Sequence, residues 1–220
     1  MPSPVNEYLC QWIAKDFAPD GDYGKAVWAD KPEIVFRQNR DGAEARQPTV
    51  ARMCFSDAYL YIIWKNVDSY LLATMHSFND LIYNEEACEA FIDDDNDLVA
   101  YQEFQVSPNN TQLHYLVQND LKNNHPASLR SFARLEQVCL SAVKEIPGGW
   151  VAEMAIPMEE FRNARNNPPR NGDSWRINLF RIDRGEAGPQ DDEYLTWQPN
   201  HQGSFHADPR VFGWLRFVRI

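Results

Sequence analysis

Hydrophobic and polar residues alternate along much of the chain, which is typical of β-strands that bury one face. Residues of Thr49–Phe55 alternate, and an apolar segment follows at 59–64. Ser56 and Asp57 between them favour a turn, so the two segments are predicted to pair as a hairpin. A second hairpin is predicted from Ala87–Asp93 and 98–106, which flank a run of acidic residues.

Other segments add strands but little helix. Residues 158–165 form the best helical segment, since they follow Pro157 and end at Asn166-Asn167-Pro168. Many strands joined by short turns predict an all-β protein, either a sandwich or a barrel. The further strands are predicted at 113–117, 137–145, 150–156, 175–182 and 214–219.

Composition and charge limit the possible partners. The 220 residues are 44% hydrophobic and carry a formal net charge of −11, so one folded domain over 1–220 is expected. An acidic chain repels phosphate backbones and anionic lipid, which argues against nucleic-acid and membrane partners. The first ten residues contain no Lys or Arg and do not resemble a secretory signal. A cytoplasmic location is the default expectation, or a secreted or periplasmic one if a leader has been removed.

The cysteines and histidines do not have the spacing of a redox or transition-metal site. No CxxC pair occurs, so the four cysteines are expected to be free and mostly buried. No HxH or HxxxH pair occurs either, and no cofactor is expected apart from calcium. The histidines are His76, His114, His125, His201 and His206.

Two groups of acidic residues have candidate chemistry. Asp93, Asp95 and Asp97 lie in one turn and could supply oxygen ligands to Ca²⁺, although Asp and Asn are also common in solvated turns. Glu89 and Glu103 lie on opposite sides of that turn. Two carboxylates on one face could act as the acid and the nucleophile of a glycoside hydrolase.

Three aromatic residues lie in or beside polar, loop-like segments: Tyr83, Trp197 and Phe205. An exposed ring flanked by hydrogen-bonding side chains suits a sugar, which has an apolar C–H face and a polar rim. The same rings could instead close the ends of a sandwich against solvent. The pattern alone favours neither interpretation.

Several motifs in sequence order resemble the family nine carbohydrate-binding modules. Residues 84–93, NEEACEAFID, resemble the family's D-x-V-E-x-F-I-D strand, and 148–157, GGWVAEMAIP, resemble G-Y-x-V-E-x-x-I-P. Trp175-Arg176-Ile177-Asn178 followed by Asp183 is similar to G-x-N-x-x-x-x-D. Residues 208–215 resemble the P-x-x-F-G-x-L ending. The ordered series covers about 49–220, while 1–48 match only loosely.

The resemblance implies a jelly-roll-like β-sandwich of two antiparallel sheets with one or two short helices. It implies carbohydrate binding without cleavage, with a sugar, often at a chain end, held between two aromatic rings. Expected ligands are oligosaccharides or polysaccharides of the xylan or cellulose type, and family members often accompany xylanases. The resemblance also implies structural calcium, for which Asp93, Asp95 and Asp97 are the candidates.

Carried over position by position, the resemblance assigns a set of ligand-binding residues and some departures. Tyr83 replaces the usual first Trp, Gln105 replaces a basic residue, and Ser107 replaces an Asn. Strand parity places Phe180 on the face of Asn178 and Arg181 on the opposite face. The predicted binding residues are Tyr83, Glu89, Gln105, Asn178, Arg181, Trp197, Phe205 and His206.

Two alternatives stay open beside glycan binding. A hydrolase would need Glu89 and a second carboxylate in one cleft. A protein-interaction domain would bury Tyr83, Phe205 and Trp197, or place them on a flat face.

Overall fold

The computed structural model describes residues 6–119 and 129–219, and these residues are almost entirely β-structure. The strands are β1 Glu7–Trp12, β2 Ile34–Val35, β3 Arg37–Gln38, β4 Thr49–Phe55, β5 Tyr59–Val67, β6 Ala87–Asp93, β7 Ala100–Val106, β8 Gln112–Gln118, β9 Arg130–Ala133, β10 Leu140–Ile146, β11 Gly149–Pro157, β12 Ser174–Asp183, β13 Glu193–Thr196 and β14 Gly213–Val218. Short 3-10 turns lie at Ala26–Trp28, Ile82–Asn84, Met158–Glu160, Phe205–Ala207 and Pro209–Val211. The predicted all-β class is confirmed.

The strands form two layers that are hydrogen-bonded into one continuous sheet. The strand order is β10-β11-β5-β4-β1-β14-β12-β6-β7-β8-β9, with β2 beside β4, and β13 between β12 and β3. Strand β1 joins the layers, because it pairs in parallel with β14 on one side and with β4 on the other. The expected sandwich therefore has its two sheets connected, and its pairing is not wholly antiparallel.

The main core lies between the two layers. Ile62 and Trp64 of β5 belong to the same buried cluster as Ala90 and Ile92 of β6 and Leu179 of β12. Such alternation is what a strand with one face in a core requires. The side chains between these on β6 and β12 point to the opposite face, where the candidate site lies.

Local pairing follows the predicted hairpins. Strands β4 and β5 pair in register from Thr49↔Asn66 to Phe55↔Leu60, and β6 pairs with β7. Strands β10 and β11 form a third hairpin, which turns at Pro147-Gly148. Strands β1, β2, β3, β9 and β13 were not predicted, because they are short or pair with distant parts of the chain.

The helix predicted at 158–165 is wrong beyond its first turn. The structure has only a 3-10 turn, Met158–Glu160. The Asn167 amide donates to the carbonyl oxygens of Met158 and Phe161, at 2.6 and 2.9 Å. Side-chain bonds of this kind satisfy carbonyls that a continuing helix would use, so they favour an irregular segment.

Two further findings concern the described residues. All four cysteines are free and buried, as expected. No helix among residues 6–119 and 129–219 combines the length and the apolar character needed to cross a membrane.

Candidate functional site

A cavity of about 430 Å³ opens on the face of β6, β7 and β8 that points away from the main core. Its floor comes from these strands, and its walls come from the 3-10 turns Ile82–Asn84 and Phe205–Ala207 and the segments around β12 and β13. Its lining residues are Tyr83, Asn84, Glu89, Glu103, Gln105, Tyr115, Leu129, Ser131, Ile182, Arg184, Tyr194, Gly203, Ser204, Phe205 and His206.

Strand register brings the polar floor together. Glu89 of β6 lies directly opposite Gln105 of β7, and Glu103 lies opposite Tyr115 of β8. Glu103 and Gln105 are two residues apart and therefore share a face. Phe104 between them points into the main core instead. Alternation along β7 thus separates the residues of the core from those of the cavity.

Aromatic rings form much of the wall. Phe205 stacks on Phe180 of β12, with centroids 4.3 Å apart and ring planes 24° apart. His206 stacks on Phe91 of β6 at 4.6 Å, and its Nδ1 lies 2.7 Å from the Tyr101 hydroxyl. Rings fixed in this way can offer a preorganised surface to a ligand.

The two carboxyl groups of the floor are deeply buried. Glu89 is 2% exposed and Glu103 is 3% exposed. Burial raises the pKa of both groups, to about 7 for Glu103 and well above the ordinary range for Glu89, whose pKa is also raised by the charge of Glu103. Burial therefore favours the protonated form of both carboxyl groups.

Several polar groups of the cavity floor have hydrogen-bonding capacity that the protein itself does not use. The Gln105 amide donates to Glu103 Oε1, while Gln105 Oε1 is buried without a partner. Among the described residues, none donates a hydrogen bond to the Glu89 carboxyl group. Burial lowers the pKa of His206 to about 4, so its ring is neutral near pH 7. The floor is consequently rich in acceptors.

Arg184 is the only Lys or Arg among the described lining residues, and its guanidinium makes four hydrogen bonds to other wall groups. Its guanidinium donates to the carbonyl oxygens of Glu85 and Tyr83 at 3.0 and 2.8 Å. It also bonds the Asp192 carboxylate at 2.6 Å and the Tyr194 hydroxyl at 2.7 Å. Arg184 thus anchors the wall, and its charge is balanced by Asp192.

The structure brings five of the eight predicted binding residues to this cavity: Tyr83, Glu89, Gln105, Phe205 and His206. Asn178 shares the face of Phe180, as parity predicted, but lies under another loop. Its amide donates to the carbonyl oxygen of Gln198, and its Oδ1 accepts from the backbone N–H of Gln198. Asn178 therefore orients that loop and does not line the cavity.

Trp197 belongs to the main core. It is 8% exposed, and its backbone N–H donates to the Leu179 carbonyl. The six-membered ring of its indole lies directly over Gly213 of β14. Trp197 also lines a separate groove beside β1 and β2, and Glu89 is not among the residues of that groove.

Arg181 points into the interior on the opposite side of β12, as parity predicted. Its guanidinium bonds the Asp68 carboxylate at 3.1 Å, the Asp183 carboxylate, and the Val67 carbonyl at 2.7 Å. Asp68, Asp183 and Glu86 lie close together and are all buried. Burial raises the pKa of Glu86 to about 9 and that of Asp183 to about 7. Arg181 is thus the cation at the centre of a buried carboxylate cluster.

The acidic turn after β6 places one oxygen each of Asp93, Asp95 and Asp97 within 4.8 Å of one another. Asp93 accepts from the backbone N–H groups of Asn96 and Leu98, at 2.7 and 2.9 Å. Burial raises the pKa of Asp93 to about 6. Hard oxygens in this arrangement fit Ca²⁺ chemically, although several of them already stabilise the turn.

Sequence reasoning missed four important cavity residues: Tyr115, Ser131, Arg184 and Tyr194. Tyr115 lies on a predicted strand, but only the β7–β8 register places it opposite Glu103. Tyr194 and Ser131 lie on short strands that were not predicted. Arg184 follows β12 directly and is the only one with a local signal, a cation at a strand end.

Comparison with known proteins identifies a family that covers most of the chain. A family model described as "Carbohydrate family 9 binding domain-like" matches residues 20–219. An "Extracellular protein" of Arthroderma benhamiae is 26% identical over 167 residues, covering 72% of this chain and 73% of its own length.

Solved structures have a similar fold. A family 9 carbohydrate-binding module from Caldicellulosiruptor kristjanssonii in complex with cellotriose has a TM-score of 0.67 and 14% identity, covering 98% of this chain and 95% of its own. The glucose complex has a TM-score of 0.68 at the same identity, with 98% and 97% covered.

Proposed function

The chain belongs to the carbohydrate family 9 binding domain-like family, and from this membership we propose that it binds carbohydrate, without cleaving it, in the cavity between Tyr83 and Phe205. The observation that carries the proposal is the meeting of aromatic rings and buried polar groups in one concave site. A sugar stacks its C–H face on rings and directs its hydroxyls to such groups. A flat interaction surface would have neither feature.

The ligand proposed is a chain end or a short oligosaccharide, of the xylan or cellulose type or a related plant polysaccharide. The cavity volume of about 430 Å³ favours one or two sugar rings. Tyr83 and Phe205 supply stacking surfaces, while Glu89 and Gln105 face the hydroxyls. Cellotriose and glucose, the ligands of the two similar modules, support this size and class.

The test is a calorimetric titration with glucose, cello-oligosaccharides and xylo-oligosaccharides. Tyr83→Ala and Glu89→Ala are each expected to weaken binding by at least tenfold, or ~1.4 kcal/mol, as for central aromatic and polar anchors. Tyr70→Ala is the matched control, because Tyr70 is an exposed ring outside the cavity. Equal affinities for all four proteins would contradict the proposed site, and no binding to any sugar would contradict the function.

A hydrolase is the second candidate, because Glu89 and Glu103 line the same cavity. Retention of intact oligosaccharide after long incubation is expected from a binding module. Cleavage products that disappear with Glu89→Gln would instead assign hydrolysis.

We also propose that the turn at Asp93, Asp95 and Asp97 binds Ca²⁺. The closeness of the three carboxylates to one another supports this proposal, because a bound cation would relieve their mutual repulsion. Adding Ca²⁺ to protein that has first been treated with a chelator is expected to raise its melting temperature. Asp95→Asn should reduce that increase. Asp57→Asn, an exposed acid in another turn, is the control. An identical calcium response in Asp95→Asn would reject this turn as the site.

A further inference from the structure

The cavity floor holds the carboxyl groups of Glu89 and Glu103, and among the described residues neither forms an ion pair with a Lys or Arg side chain. Glu89 and Glu103 each lose nearly all contact with water, and after burial the charge of Glu103 also raises the pKa of Glu89. Buried charges in proteins are normally paired, because an unpaired one costs several kcal/mol in order of magnitude. Arg184 is near enough to affect Glu89, but its four hydrogen bonds among the described residues go to other groups.

The polar groups of the floor are mostly acceptors. Gln105 Oε1 is buried and unpartnered, and Glu103 accepts only from the amide of Gln105 among the described residues. Gln105 occupies the position where the resemblance leads one to expect a basic residue. A ligand group with several N–H donors and a positive charge would satisfy these acceptors better than a hydroxyl, which has one donor.

The walls add a second preference for positive charge. Tyr83, Tyr115, Tyr194 and Phe205 surround the same opening. The faces of aromatic rings carry partial negative charge and attract cations, particularly where water is excluded. Aromatic walls over buried carboxylates are an arrangement suited to an ammonium group.

We infer that this cavity selects carbohydrates that carry a free amine, such as an amino-sugar residue without its N-acetyl group, over neutral sugars. The inference rests on the proposed glycan-binding function and specifies its ligand class. The ammonium group would bind between Glu89 and Glu103 and take the unpartnered oxygen of Gln105 as a further acceptor. The rings would still stack on the sugar face.

Proton uptake offers a signature of this arrangement. The titratable and charged groups that face Glu89 and Glu103 are neutral His206, whose Nε2 lies 3.7 Å from Glu103 Oε2, the Asp192-paired Arg184, and the tyrosines of the wall. Ammonium binding stabilises the charged carboxylates, so protons held by them are released. Amine affinity should therefore rise from pH 5 to pH 7, while glucose affinity stays nearly constant.

The experiment is calorimetric titration at pH 7 with glucose, glucosamine, N-acetylglucosamine and 6-amino-6-deoxyglucose. At least one free amine is expected to bind tenfold or more tightly than glucose, with proton release measured in buffers of different ionisation enthalpy. Glu103→Gln should reduce the preference to less than threefold and reduce the proton release. Glu159→Gln removes the same charge at an exposed site outside the cavity and should change neither.

The outcomes separate this inference from the function on which it rests. If glucose binds as tightly as glucosamine and 6-amino-6-deoxyglucose, the amine preference is overturned. If Tyr83→Ala still weakens glucose binding in that case, the proposed glycan binding remains in place. No binding of any sugar would overturn both. An amine preference that persists in Glu103→Gln would also overturn the inference, because the charge would then act elsewhere.

Discussion

The contact between Trp197 and Gly213 allows the placement of Trp197 in the core to be tested quantitatively. A Cβ atom added at Gly213 would lie 2.5 Å from both Cη2 and Cζ3 of the indole and 3.1 Å from the Asn6 carbonyl oxygen. Carbon atoms prefer separations of ~3.5–4.0 Å, so Gly213→Ala creates an overlap of about 1 Å. Because Trp197 is packed in the main core, it has little room to retreat.

Gly213→Ala is expected to lower the free energy of unfolding by ~1–3 kcal/mol, the usual cost of overpacking. For a chain of this size each kcal/mol lowers the melting temperature by roughly 2–4 °C. Trp197→Phe removes the two clashing atoms, so Gly213→Ala should cost less than ~0.5 kcal/mol in that background. The double-mutant cycle should then give a coupling energy of ~1–2 kcal/mol.

Urea unfolding followed by tryptophan fluorescence and circular dichroism measures all four proteins. Gly24→Ala is the control, since the nearest atom to its added Cβ is a side-chain oxygen of exposed Asp22 at 3.3 Å. An equal cost of Gly213→Ala in both backgrounds would refute the proposed contact. Trp197→Phe should also bind sugar as the parent does, and a tenfold loss of affinity would return Trp197 to the binding site.

Three further predictions concern the interior. Arg181→Met should lower the free energy of unfolding by ~3–5 kcal/mol in urea, because it leaves the carboxylates around it without a cation, and a cost below ~1 kcal/mol would contradict that role. Burial raises the pKa of Glu86 above its unfolded value, so the folded state binds more protons and stability falls as pH rises towards about 9. The melting temperature should be lower at pH 9 than at pH 6.5, and Glu86→Gln should reduce the difference. A thiol reagent should modify none of the four buried cysteines in the native protein and all four after unfolding, so rapid native labelling would contradict their burial.

The sequence predicted the strands whose partners are close along the chain. Thr49–Phe55 and its neighbour read as a hairpin because alternation and a turn occur together. Strand β1 gave no such signal, since its main partner β14 lies at the other end of the sequence and its neighbours do not alternate clearly. Non-local pairing of this kind is a property of the whole fold.

The candidate site was predictable to the extent that parity and motif agreed. Glu89 was predicted from its strand motif and Gln105 from its place on the next strand, where it departs from the family's basic residue, and register places the two opposite each other. For Arg181, strand parity predicted a side chain on the face opposite the ligand, and in the structure this side chain has interior partners. Tyr194 could not be found, because its proximity to Phe205, at 6.1 Å between ring centroids, depends on how distant loops pack.

The position of β1 has a consequence for the order in which the protein assembles. Tyr8 pairs with Leu215, so this junction joins segments about 200 residues apart in sequence. Hairpins β4–β5 and β6–β7 need only short loops to close, whereas the junction must wait until β14 is synthesised. Loop-closure entropy and high contact order slow such steps, which places refolding in the range of roughly milliseconds to seconds for comparable topologies. On the ribosome, each half would therefore hold a partly exposed apolar face until the last strand arrives.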